Sequence, residues 1–250
     1  VQVAPQASDG EQQLTQTMRE GLPPAPLNIQ ALPLDARGFP IPWFVYIDDD
    51  GKEDFRIIGP GKLGGAFKKG LCWICGQPIG RLKTFVIGPM CAINRVSAEP
   101  PSHLECATYA AKACPFLTRP LAKRNDRDLP EGHQPAPGIA ILRNPGVTLV
   151  WACLTYKPFF PDGGGVLFKI GNPLRTNWYA NGREATCQEV AESIESGFPI
   201  LLAEAQKEGK AALVELGERY AQAVQLLPED PDRRRKRDRD RNPVARRLNP

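Results

Sequence analysis

The stretch LCWICGQPIG, residues 71–80, sets Cys72 and Cys75 three positions apart, with Gly76 directly after them. A Cys-x-x-Cys turn can aim two thiolates at one ion, and glycine relieves crowding where the backbone bends tightly beneath the metal. Further along, EPPSHLECATYAAKAC, residues 99–114, places His103 and Cys106 at the start of a helix-favouring run. Positions i and i+3 share one helix face, and the positive end of the helix dipole favours thiolate. Three sulfurs and an imidazole are a donor set that Zn²⁺ takes in closed tetrahedral sites, with sulfur at about 2.3 Å. The competing reading is plain packing, because free cysteine is among the most buried residue types. Residue type, spacing and helix context together favour metal, with zinc as the expected cofactor.

The chain has seven cysteines. Cys91 lies between the two pairs and could replace His103 as a ligand. Cys114 stands eight residues beyond Cys106, about 12 Å along a continuous helix, so the two cannot share an ion. Cys153 and Cys187 read as packing residues, with Cys187 at the first position of a helix. An odd cysteine count argues against a disulfide framework, and VQVAPQASDGEQQ at the start has no basic, apolar leader. A reducing, cytoplasmic setting is expected, without a membrane span.

A cysteine knuckle, a hairpin, then a helix whose first turn supplies two ligands: this order resembles the treble-clef zinc finger. The resemblance covers residues 71–115. It implies Cys72 and Cys75 as knuckle ligands and His103 and Cys106 as helix ligands. The 27 residues between Cys75 and His103 exceed the minimal connection of that family. The wider string CWICG, GPMC, EPPSHLEC, CPFL also looks like bacterial and prophage-borne proteins of no known activity, and adds no chemistry.

The elements that must hold these donors can be read around them. Residues 1–34 are rich in Gln, Pro and Ala and read as disordered. IPWFVYIDDDGKEDFRIIG is a hairpin about Asp50-Gly51, KLGGAFKKG a short helical turn, and RLKTFVIG a strand. SHLECATYAAKACP is a helix, with Ser102 and Glu105 as a capping box and Pro115 at its end. Residues 128–137 read as a linker. GIAILR, VTLVWACLT, GVLFKIG and TNWYANGR read as strands, with NPG and PDGGG as turns. Thr186 and Glu189 form a second capping box, with Gly197 at a stop position and Pro199 in the first turn of a following helix that breaks near Gly209. The fold class is α+β: an N-terminal β-hairpin, a treble-clef-like zinc module over residues 35–127, and a small antiparallel sheet followed by helices over 138–227. The basic tail, 228–250, reads as disordered.

Several motifs fail. GPGKLG, residues 59–64, has no acidic residue near position 80 for a dinucleotide site and carries Leu63 where a P-loop needs Ser or Thr. DDDGKED has the wrong frame for a calcium loop and reads as a solvated hairpin tip. A His-Asn-His nuclease needs a spare histidine, yet the chain has only His103 and His133.

Charge is segregated. Residues 60–127 carry 11 basic and 3 acidic side chains, while residues 1–59 carry 4 and 9. Such concentration points to an anionic partner. Lys68, Lys69, Arg81, Lys83, Arg95, Lys112, Arg119, Lys123 and Arg124 are the candidate contacts to DNA or RNA, with Trp73, Phe85 and Tyr109 interleaved for base stacking. The bland counterpart is a solvated basic surface over core aromatics. The sequence therefore favours a non-enzymatic, zinc-stabilised nucleic-acid-binding protein. A protein-interaction adaptor docking an acidic protein is the alternative, and a degenerate His-Asn-His-type nuclease the second.

Overall fold

A computed structural model of the chain describes residues 17–120, 122, 123, 125, 127, 129, 137 and 144–229. In chain order the first elements are α1 (Leu27–Gln30), β1 (Val45–Ile47), β2 (Glu53–Ile58), α2 (Lys62–Lys69), β3 (Lys83–Ile87), α3 (Pro89–Asn94), β4 (Val96–Ser97) and α4 (Leu104–Ala113). Then follow β5 (Thr148–Cys153), β6 (Tyr156–Phe159), β7 (Leu167–Ile170), β8 (Pro173–Ala180), β9 (Arg183–Glu184), α5 (Cys187–Glu208) and α6 (Lys210–Val224). The class is α+β, with antiparallel sheets, an N-terminal hairpin and C-terminal helices. Among the described residues no helix is long and apolar enough to cross a membrane.

The main sheet has the order β3-β5-β8-β9, every pair antiparallel. VTLVWAC reads as a continuous apolar run because β5 is buried on both faces. Leu149, Trp151 and Cys153 point into the large core with Phe85, Ile93 and Phe168. Val150 points the other way, onto Ala107 and Ala111 of α4. Alanines at these helix positions let α4 lie close on the sheet, and each large side chain so buried contributes about 1.5–3 kcal/mol. A second sheet has the order β4-β7-β6. Its β6 carries Pro158 and lies at the edge, where a missing N–H costs no ladder bond.

The sheets join regions that the sequence separates. β3, from the expected zinc module, pairs along its length with β5 of the expected C-terminal domain, and β4 pairs with β7. The linker expected at 128–137 thus connects elements of shared sheets. Residues 17–34 also differ from the expectation of disorder. Ile29 is 1% exposed, and Met18, Leu22, Ala25 and Leu32 pack with it on the cysteine cluster. A sparse set of apolar side chains suffices there because each lands on a preformed apolar surface. The expected strand 138–143, residues 1–16 and the tail from 230 onward lie outside the described residues.

Local signals fared unevenly. The β1–β2 hairpin forms, and Asp48 closes its tip by accepting from the backbone N–H of Asp50 and Lys52. The cap of α4 is His103, not Ser102, and it makes no side-chain capping bond. Ser102 is taken by a bridge to β3, exchanging backbone hydrogen bonds with Thr84 at 2.7 and 3.1 Å. The capping box of Thr186 and Glu189 has both halves. α5 then runs through Gly197 and Pro199 to Glu208 instead of stopping. Gly197 is buried on α3, where a Cβ would meet Met90 at 2.9 Å, so its role is close helix contact and not termination.

Candidate metal centre

Four donors from two distant segments converge. The ligand atoms of Cys72, Cys75, His103 and Cys106 all lie within 4.8 Å of one another. For sulfur at about 2.3 Å from a tetrahedral ion, neighbouring donors stand about 3.8 Å apart. His103 Nδ1 lies 3.3 Å from Cys75 Sγ and 3.8 Å from Cys106 Sγ. Cys72 and Cys106 are fully buried and Cys75 is 5% exposed. The cluster can bind a metal such as zinc.

Local geometry fixes each donor. The knuckle turns at Gly76, with φ +73°, where a Cβ would stand 2.5 Å from the Trp43 ring. Only glycine admits both that conformation and that ring. Trp43 N–H donates to Ile74 O at 2.7 Å, tying the segment before β1 to the knuckle, while Phe44 stacks on Trp73 at 4.7 Å. On the far side, His103 Nε2 lies 3.0 Å from Pro78 O. A carbonyl only accepts, so Nε2 carries the proton and Nδ1 turns its lone pair to the sulfurs.

The thiols respond to this crowding. Cys72 is held well below the usual thiol range, chiefly by hydrogen bonds from Cys106 and Cys75 and then by the backbone N–H of Cys75 and His103. Those backbone donors stand 3.5 and 3.4 Å from its sulfur. Cys106 is pushed far upward because Cys72 and then Cys75 accept from its S–H. Cys75 receives a hydrogen bond from Cys106, which lowers it, but its bond to Cys72 and burial carry it above the usual range. The three thiols are linked through these mutual hydrogen bonds. A divalent cation replaces the remaining protons and satisfies all three.

The other cysteines are elsewhere. Cys91, the expected substitute ligand, is not part of the group. It sits on α3 and packs on the large core, with burial, then the charge of Glu99, pushing its thiol up to about 11. Cys114 caps the end of α4, Cys153 is buried in β5, and Cys187 opens α5. Between knuckle and helix the chain runs through β3, α3 and β4. The Thr84–Ser102 bridge joins β3 to the start of the helix segment, while β3 pairs along its length with β5.

The candidate nucleic-acid residues are spread over several elements. Lys68 and Lys69 end α2, and Arg81 follows the knuckle; with Arg119 and Lys123 these are exposed. Lys83 donates to Gly80 O, Arg95 donates to Asn172 and lies over Trp151, and Lys112 lies over Tyr179. Arg124 and His133 lie outside the described residues. Trp73, Phe85 and Tyr109 are 2%, 1% and 6% exposed. They are core, and the expected stacking platform does not form from them.

Comparison with known proteins identifies none that resembles the chain: no family model, no curated protein and no solved structure matches it.

Proposed function

We propose that this chain is a zinc-stabilised nucleic-acid-binding protein whose metal is structural and held in a treble-clef-like arrangement. The observation that carries the metal assignment is the convergence of four soft donors, three of them buried, from the knuckle and the first turn of α4. Four protein ligands complete a tetrahedron, which leaves no position for substrate or activated water. The ion supplies a cross-link between knuckle and helix. Pro78 O orients the imidazole, backbone N–H groups steady Cys72, and Trp43 and Ile29 exclude solvent. His103 is the sole histidine among the described residues and is committed to this cluster, so among those residues no second imidazole stands beside it as a general base.

The nucleic-acid reading rests on the excess of 11 basic over 3 acidic side chains in residues 60–127. With the neighbouring aromatics buried, contact is to phosphates and not to stacked bases. Such binding is insensitive to sequence and collapses with salt. Gel-shift titration of single-stranded and duplex DNA tests it. The expected result is binding at about 50 mM salt that falls at least about a hundredfold by about 200 mM. No retardation of either probe at the lower salt would end this reading while leaving the metal assignment intact.

A further inference from the structure

We propose that a second site, separate from the metal cluster, binds a phosphoryl group in the concavity between residues 19–39, the end of α4 and the β8–β9 turn. Its volume is about 280 Å³, near the lower bound of ligand cavities, which suits a phosphate group better than a large apolar molecule. Arg19, Arg37, Lys112 and Arg119 line it, and among the described residues no carboxylate side chain does. Four cations gathered in one depression repel one another, and a polyvalent anion relieves that repulsion.

The cations are held in place by packing. Arg19 and Arg37 both lie over the Phe39 ring, 5.5 and 5.4 Å from its centroid. Asp35, itself 3% exposed, fixes the loop by accepting from the backbone N–H of Arg37 and Phe39 and from Arg37 Nε and Nη2. This neutralises part of the Arg37 charge but leaves its Nη1 without a partner among the described residues. Lys112 lies 5.4 Å over Tyr179. The backbone of Arg119 is pinned by buried Asn144, whose Nδ2 donates to Phe116 O and Arg119 O at 2.5 and 2.8 Å. Among the described residues no ion pair occupies Arg19, Lys112 or Arg119.

The walls are built close by two glycines with positive φ. A Cβ at Gly38 would stand 2.7 Å from Arg19 N, and one at Gly182 would stand 2.9 Å from Lys112 O. The type of turn at Asn181-Gly182, with φ +51° and +75°, brings the Asn181 amide to the rim as a neutral donor. Planar guanidinium forks match the oxygens of a phosphoryl group, and three of the four cations are arginines. Two of them, Arg19 and Arg37, come from the acidic N-terminal third, which is why net charge by segment does not reveal the site.

The phosphoryl group has two possible sources, a small phosphate ester or a nucleic-acid backbone. Assignment of the site does not depend on the nucleic-acid reading. The test is amide NMR of the isotope-labelled, metal-loaded full chain titrated with inorganic phosphate, with sodium chloride at matched ionic strength as reference. Expected are saturable shifts confined to residues near 19–23, 37–39, 112–119 and 181–182. Arg19→Gln with Arg119→Gln weakens phosphate binding about tenfold or more at unchanged melting temperature, whereas Lys157→Gln with Lys210→Gln leaves it as in the wild type. Adenosine monophosphate and unphosphorylated dT12 then separate the sources. Tighter binding of dT12 in the same pocket assigns the backbone. Saturation by phosphate and the mononucleotide without dT12 binding in the pocket assigns a small ester to this site and keeps the pocket, leaving the nucleic-acid reading to the gel-shift titration. Shifts that never saturate, that scatter over the basic surface, or that persist unchanged in the double arginine variant overturn the proposal.

Discussion

His103 offers Nδ1 to the sulfurs of Cys75 and Cys106 because Pro78 O accepts from its other nitrogen, and this fixes the ring as a candidate ligand. Substituting His103→Ala, or Cys106→Ser, should abolish metal retention and lower the melting temperature by roughly 10 °C or more. Structural zinc contributes several kcal/mol to folding, and each kcal/mol moves a chain of this size about 2–4 °C. Cys91→Ser should keep one metal per chain, since that thiol belongs to the core around α3; loss of the metal on this change would restore Cys91 as a ligand. Gly76→Ala should destabilise by about 2–4 kcal/mol in urea unfolding, from left-handed backbone strain plus collision with Trp43. The two ligand pairs were legible in the sequence because their spacings, three apart in a turn and three apart on a helix, are local. The pressure of Trp43 on Gly76 was not, because it crosses more than thirty residues and requires the fold.

Short-range signals held where the chain has no competing partner. Thr186 and Glu189 close a full capping box, and Arg183 binds the same carboxylate at 2.7 Å. The Arg183 hydrogen bonds, then the Thr186 backbone N–H, hold Glu189 down at about 2 from its ordinary 4.5. A lowered carboxyl stabilises the fold above its unfolded value and loses that contribution as the pH falls through the folded one. The melting-temperature gap between wild type and Glu189→Gln should therefore narrow as the pH drops from about 5 to about 3; a constant gap would mean that the charge contributes nothing. Thr186→Ala should cost about 1 kcal/mol, read by denaturant midpoint. The matching box at Ser102 misled, because Thr84 of β3 takes the Ser102 backbone and moves the cap to His103. Gly197 and Pro199 misled in the same way. Helix-stop residues became interior ones once α5 packed Gly197 on Met90.

Across the whole chain, the sheets tie the metal centre to the C-terminal half. β3 leads from the knuckle into five residue pairs with β5, and α4, capped by His103, carries Cys106 on one side while covering Val150 with the other. The sequence showed strands on both sides of residues 128–137 but not their pairing, since register between distant strands leaves no local trace. A fragment ending at residue 127 should consequently fail to fold even with zinc, giving poorly dispersed amide spectra; a dispersed, metal-bound fragment would separate the two halves again. Residues 17–34 depart from the expectation of disorder because average polarity hides a few well-placed anchors. Ile29, Met18 and Leu22 lie on the cysteine cluster, and Arg19 beside them reaches the basic concavity. The most direct test of the account is metal analysis of the purified full chain combined with X-ray absorption at the zinc edge. The account predicts one zinc per chain, with three sulfurs at about 2.3 Å and one nitrogen at about 2.0 Å. A chain that is folded and metal-free, or a zinc with oxygen ligands in place of these sulfurs, would contradict it.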